Sequence, residues 1–156
     1  MGILDGDAGP PPSKVPRYVV LGGVAVLAIA TLLFLALRYR AEKATARLFL
    51  QQVVAGDFQS AYRTWKPSSG YTFTDFMGDW GPTGSFGPVK SFDLAAAKRR
   101  GEASGVVVTV RVSPYEPFPA DNDPKSRSNK TVNLWIESSD QSFSFAPEEL
   151  NVPRSR

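Results

Sequence analysis

The hydrophobic pattern sets one stretch apart from the rest of the chain. Residues 18–37 are apolar and carry no charged side chain. An α-helix needs about 20 such residues to cross a hydrocarbon core of roughly 30 Å. Arginine and tyrosine flank the stretch, as they do at membrane interfaces. We predict a single-pass transmembrane helix over 18–37 rather than a cleaved signal peptide, whose apolar stretch is shorter.

The sequence on either side of this stretch predicts the domain organisation. Residues 1–17 contain consecutive prolines and few apolar residues, which favours a flexible tail. The segment 38–150 has the length and the hydrophobic content of one compact domain. Residues 151–156 are then a C-terminal tail.

Amphipathic helices are predicted at the start of this domain. From residue 41 the apolar positions recur at steps of three and four, which is typical of one face of a helix. Gly56 and Asp57 interrupt the pattern: glycine ends helices, and aspartate caps the next one. We predict two helices bent at this point and a third, short helix over 74–80.

The second half of the domain alternates like an antiparallel sheet. Prolines between 114 and 124 cannot donate to a central ladder, so residues 114–128 form a Pro-rich loop between strands. Helices followed by antiparallel strands indicate an α+β fold. The predicted strands are 89–98, 106–112, 130–137 and 142–146.

Composition and charge exclude several classes of site. The chain has no cysteine and no histidine, which excludes disulfides, zinc sites of the Cys/His type and imidazole-based catalysis. The net charge is +3, but the basic residues are scattered and only 98–100 forms a run. Nucleic-acid binding needs a basic stripe, so we predict none. We also expect no metal and no cofactor.

A glycine-rich run at 81–88 invites comparison with phosphate-binding loops. Such a loop follows a strand and opens a helix. Here a predicted helix precedes the run and a predicted strand follows it. We therefore predict an irregular loop.

Three motifs resemble those of the NTF2-like superfamily over residues 41–150. They are the helical segment 49–62 with its Gly-Asp-Phe step, the valine-rich strand 106–112, and the closing hairpin followed by Pro-Glu-Glu-Leu at 147–150. The resemblance implies a cone of about three helices packed on a curved antiparallel sheet. It also implies a homodimer, but no particular activity.

Two aspartates are the only candidates for acid–base chemistry that the pattern offers. Asp75 and Asp79 lie four residues apart, so one helical face can carry both. Enzymes that the resemblance suggests use carboxylates, tyrosine or histidine, and histidine is absent here. The interpretation that we favour places Asp75 near a helix N-terminus, where its charge interacts favourably with the helix dipole, and Asp79 in contact with water. We therefore assign no catalytic residue.

Aromatic residues supply the candidate binding surfaces. One set either lines a cavity for a small ligand or fills the core, and the core is the simpler interpretation. Tyr115 and Phe118 on the Pro-rich loop are the candidates for binding a protein partner. The cavity candidates are Tyr62, Tyr71, Trp80, Phe92 and Trp135.

Together these patterns predict a non-enzymatic accessory, scaffold or assembly subunit of a membrane protein complex. We expect it in the cell (inner) membrane with the large domain exported, although the count of lysine and arginine alone favours the cytoplasm. The expected partners are the lipid bilayer, a protein in or beside the membrane and a second copy of the chain. The alternatives are a domain that binds a small apolar ligand and, with least support, an isomerase- or dehydratase-like enzyme.

Overall fold

The computed structural model describes residues 15–147, without the side chains of 15–17, 35 and 36. Most of the predicted front tail and the whole C-terminal tail lie outside the described residues, as does the end of the Pro-Glu-Glu-Leu motif. The chain divides into two compact units, with the division after Arg38.

The first unit contains helix α1 (Val15–Leu37), whose described side chains are exposed from Tyr18 to Phe34. Nowhere in the described part of the chain is there a helix with both the length and the apolar character for crossing a membrane. A hydrocarbon core of about 30 Å demands both properties at once. The predicted transmembrane helix over 18–37, and with it the single-pass inner-membrane location and the exported domain, is therefore wrong.

Three helices open the second unit: α2 (Arg40–Val54), α3 (Phe58–Trp65) and α4 (Phe73–Trp80). The predicted break between the first two is confirmed. Gly56 has a φ of 76°, and the Asp57 carboxylate caps α3 by accepting a hydrogen bond from the Ser60 amide at 3.1 Å. Left-handed backbone of this kind favours glycine, because it has no Cβ.

The strands that follow form one four-stranded antiparallel sheet in the order β1-β2-β3-β4. The first strand starts two residues later than predicted and has a register shift between Leu94 and Ala96. The described chain is thus α+β, with its helices ahead of its sheet. The strands are β1 (Ser91–Lys98), β2 (Gly105–Ser113), β3 (Lys130–Glu137) and β4 (Phe143–Phe145).

The two faces of the sheet differ in burial. Successive side chains of a strand point to opposite faces. On β2, Val106, Val108, Val110 and Val112 are buried in the core, whereas Val107, Thr109 and Arg111 lie on the other face and are partly exposed. We call this second face the outer face of the sheet.

Phe49 of α2 lies at the centre of the core. Its side chain has no exposed surface, and its ring centroid is 5.0 Å from that of Trp80, 5.2 Å from Trp65 and 5.2 Å from Phe143. Tilted and edge-to-face ring pairs of this kind add to the free energy of burial. Through these ring contacts, Phe49 connects its own helix α2 to α3, to α4 and to the last strand.

Phe49→Ala is expected to lower the free energy of unfolding of the full chain by about 3–5 kcal/mol, because it opens a cavity among these rings. Urea unfolding measures the change. The matched control is Leu48→Ala on the same helix, since Leu48 is 49% exposed and its loss is expected to cost less than about 0.5 kcal/mol. Equal losses in the two variants would contradict this description of the core.

Candidate functional site

The most distinctive surface of the second unit is the loop between β2 and β3. We call residues 114–128 the excursion. It leaves the sheet after Ser113, contains a short 3₁₀ helix (Pro124–Ser128) and returns to the sheet at Lys130. The sequence predicts this loop because its prolines cannot join a central ladder.

Arg111 attaches the excursion to the outer face of the sheet. Its Nη2 donates to Oδ2 of Asp93 on β1 at 2.7 Å, and its Nη1 donates to Oδ1 of Asp121 in the excursion at 2.7 Å. The hydrogen bond to Asp93 is the main cause of the raised pKa of Arg111, followed by the one to Asp121. The planar guanidinium suits this arrangement, because it presents several N–H donors in fixed directions.

Phe118 packs beneath this ion-pair cluster. Its ring centroid is 5.4 Å from the guanidinium carbon of Arg111, a cation–π distance, and the residue is half-buried. Phe118 was selected from the sequence as a partner-binding residue. In the structure it lies where it anchors the excursion.

Tyr115, the second residue selected for partner binding, presents its ring to solvent. The residue is 38% exposed, and Nζ of Lys125 lies 5.5 Å from its ring centroid. Its backbone is held on both sides: the amide donates to Oγ of Ser113, and the carbonyl accepts from Oγ of Ser91. An exposed tyrosine on a fixed backbone is a suitable contact for a partner, because little conformational freedom remains to be lost on binding.

A cavity of about 360 Å³ lies at the root of the excursion, and we call it the basal cavity. The two ends of the excursion and the glycine-rich loop line it. Apolar groups form one part of its lining and polar or charged groups the other. The apolar residues include Phe86, Pro88, Val112 and Pro114, and the polar ones are Arg127, Ser128, Asn129 and Lys130.

The glycine-rich loop shapes one wall of this cavity by folding onto itself. The amides of Ser85 and Phe86 donate to carbonyls of α4, at Gly78 and Asp79. A Cβ atom on Gly87 would lie 1.9 Å from the carbonyl oxygen of Gly81, so only glycine fits there. The loop is irregular, as predicted, and its glycines serve close backbone packing.

The polar wall of the basal cavity carries unpaired charge. Within residues 15–147, neither Arg127 nor Lys130 forms an ion pair, although Nζ of Lys130 donates to the carbonyls of Ser85 and Gly87. Oδ1 of Asn129 is buried and has no hydrogen-bond partner there either. A buried acceptor without a donor is rare in folded proteins.

The five aromatic cavity candidates do not come together around one space. Trp80 is 1% exposed, and Tyr62 packs edge-to-face against Phe76. Phe92 packs against the core, whereas the strand alternation places Trp135 on the outer face. Tyr71 lines a separate cavity of about 150 Å³ beside Trp65, Phe143 and Phe145.

The two aspartates considered as general bases have separate roles. Asp75 forms a capping box with Thr72, whose amide and hydroxyl donate to Oδ2 at 2.9 and 2.7 Å. The hydrogen bond from the Thr72 side chain is the main cause of the lowered pKa of Asp75. Asp79 does not simply face water, because its Oδ2 accepts a hydrogen bond from the Tyr71 hydroxyl at 2.7 Å. Burial is the main cause of the raised pKa of that phenol.

Arg111, Arg127, Asn129 and Lys130 were not among the sequence-based candidates. The sequence of β2 could have indicated Arg111, because it is the one charged residue of a valine-rich strand and the alternation places it on the solvent side. No local pattern indicates the basal cavity, whose walls come from three segments distant in sequence. Within the described residues, no group of three or more acidic side chains could hold a metal ion.

Comparison of the chain with models of protein families, with curated proteins and with solved structures finds no match. The resemblance to the NTF2-like superfamily therefore stays a prediction.

Arg111→Lys is expected to loosen the excursion, because an ammonium group cannot hold Asp93 and Asp121 in the same fork geometry. Amide hydrogen exchange at residues 115–123 should become faster. The free energy of unfolding should change by less than about 1 kcal/mol, because the pairs are partly exposed. Arg47→Lys, at an exposed arginine of α2, is the control and should alter neither quantity. Unchanged exchange in Arg111→Lys would contradict the role of this cluster.

The capping box predicts a pH dependence of stability. The lowered pKa of Asp75 contributes stability above the ordinary value of 3.8, and this contribution is lost as the pH falls through the folded-state pKa. Thr72→Ala removes the donor, so the variant should lose less stability than the wild type between about pH 5 and pH 2. At neutral pH it should already be about 1 kcal/mol less stable.

Urea unfolding across this pH range measures the effect. Thr74→Ala makes the same chemical change at an exposed position of the same helix, and should leave the pH profile unchanged. Parallel profiles for the wild type and Thr72→Ala would show that the capping box does not shift the pKa of Asp75.

Proposed function

We propose that this chain is a non-enzymatic accessory or scaffold protein whose α+β unit binds a protein partner through the excursion. The exposed ring of Tyr115 on a backbone held from both sides carries this proposal. Tyrosine is enriched at the energetically dominant positions of protein interfaces. The cluster around Arg111 supports it further, since it holds the segment in one conformation before a partner arrives.

Binding of a small apolar ligand inside the cone, the alternative from the sequence, has weaker support. Four of its five aromatic candidates are explained by packing in the core or by their place on the outer face. The fifth, Tyr71, lines a cavity of about 150 Å³, below the roughly 300 Å³ at which small-molecule sites begin.

Enzymatic chemistry has the least support. Asp75 is engaged in a capping box, and its pKa is lowered, which makes it a weaker base. Asp79 is already hydrogen-bonded to Tyr71, and neither aspartate lines the basal cavity.

We also propose that the second unit is an NTF2-like domain. Its support is the order of elements: α2, α3 and α4 come first, and the antiparallel sheet follows. Core side chains from those helices cover one face of the sheet. The homodimer that this resemblance implies stays a prediction, which sizing of the full chain would measure.

A photo-crosslinking amino acid placed at position 115 of the full chain, at native expression, tests the partner surface. We expect one discrete adduct of constant mass. The matched control places the same residue at position 48, where an apolar side chain is 49% exposed on α2, and we expect no adduct there. In parallel, Tyr115→Ala should reduce co-purification of the crosslinked partner at least tenfold. This corresponds to a loss of about 1.4 kcal/mol or more of binding free energy.

Equal adducts at positions 115 and 48 would indicate nonspecific contact, and no adduct at position 115 would remove the excursion from the interface. Either result would contradict the proposal. Leu48→Ala is the control for the co-purification experiment, because it removes exposed apolar surface outside the excursion.

A further inference from the structure

The basal cavity combines features that point to a ligand with an anionic group. Arg127 and Lys130 line it, and within the described part of the chain no carboxylate pairs with either cation. A second pair of lining groups, Phe86 and Val112, is apolar. An anion placed at this wall gains charge-assisted hydrogen bonds, and an apolar group attached to it loses contact with water.

Asn129 adds a requirement that a simple anion does not meet. Its Oδ1 is a buried acceptor without a donor among the described residues. The χ2 torsion of asparagine is broad and roughly two-fold, so turning the amide group over can point this oxygen towards the cavity that the residue lines. The matching ligand therefore carries an N–H donor close to its anionic group.

The carboxyl-terminal residue of a peptide chain has all three features within a few bonds. Its carboxylate suits Arg127 and Lys130, its amide N–H suits Oδ1 of Asn129, and its side chain can lie on the apolar wall. Inorganic anions lack both the N–H and the apolar group. The volume of about 360 Å³ is near the lower end for ligand sites, which suits the last residue or two of a chain.

We propose that the basal cavity binds the C-terminal carboxylate of a partner protein that ends in an apolar residue. This inference rests on the proposed function, because it names the part of the partner that is recognised. Capture of a C-terminal carboxylate is a known form of peptide recognition, and here the site lies at the root of the excursion.

Three small probes test the proposal by NMR titration of the full chain: acetyl-Gly-Leu with a free carboxylate, the same dipeptide as its C-terminal amide, and 4-methylpentanoate. We expect the free dipeptide to shift the backbone amide signals of Ser128, Asn129 and Lys130. The dipeptide amide should bind at least about tenfold more weakly, because it lacks the charge that Arg127 and Lys130 would hold. 4-Methylpentanoate has the carboxylate and the apolar group of leucine, and it should also bind more weakly, because it lacks the N–H donor that Asn129 would accept from.

Variants identify the side chains that are responsible. Arg127→Gln and Asn129→Leu should each weaken binding of the free dipeptide at least about fivefold, in the range of a lost hydrogen bond to a charged or buried group. The control is Lys125→Gln, which removes a cation from the same 3₁₀ helix that does not line the cavity, and it should bind as the wild type does. Unshifted signals away from the cavity show that each variant is folded.

Equal binding of the free dipeptide and its amide, or no shift with either, would overturn the proposal. 4-Methylpentanoate binding as tightly as the dipeptide would assign the cavity to an apolar free acid rather than to a chain end, and would also overturn it. The crosslink at position 115 is independent of these titrations. If it forms while the peptides fail, the excursion binds a partner but the cavity does not take its end.

Discussion

Burial of one face of the sheet beneath the rings around Phe49 is the constraint on which the rest of this unit depends. Because the side chains of a strand alternate between its two faces, burial of every second residue of β2 from Val106 to Val112 places Arg111 on the outer face. The polar surface is therefore a consequence of the core. A shift of one residue in strand register would bring Arg111 into the aromatic layer and expose the valines, which makes that register strongly specified.

Two structural features position the excursion, and the first is Arg111. It binds Asp121, which fixes the excursion over the sheet. The second is the pairing of β2 with β3, in which Val112 lies opposite Lys130; it brings the two ends of the excursion together at the basal cavity, which Pro114 and Arg127 both line. Charged groups with partial exposure make the attachment at Arg111, and such pairs contribute little to overall stability. The core can consequently stay folded when this attachment is removed.

The sequence predicted those parts of the fold that local physics determines. Gly56 and Asp57 mark a helix boundary through backbone freedom and capping, and the valines of β2 mark a strand through alternation. It did not predict the pairing of Arg111 with Asp121 or the charges at the basal cavity, because these depend on how a loop folds back over the sheet. The apolar composition of residues 18–37 led to a wrong prediction of a membrane-spanning helix, which none of the described helices is.

Among the described residues, the ion pair between the excursion and the sheet goes through one arginine, and this has a consequence for how such a protein can change over generations. Any segment that supplied a carboxylate at the place of Asp121 could dock on Arg111 without altering a buried residue. The side chains displayed between the two ends of the loop, among them Tyr115, can then vary at small cost to folding. Selection for a new partner and selection for a stable core would act on different residues.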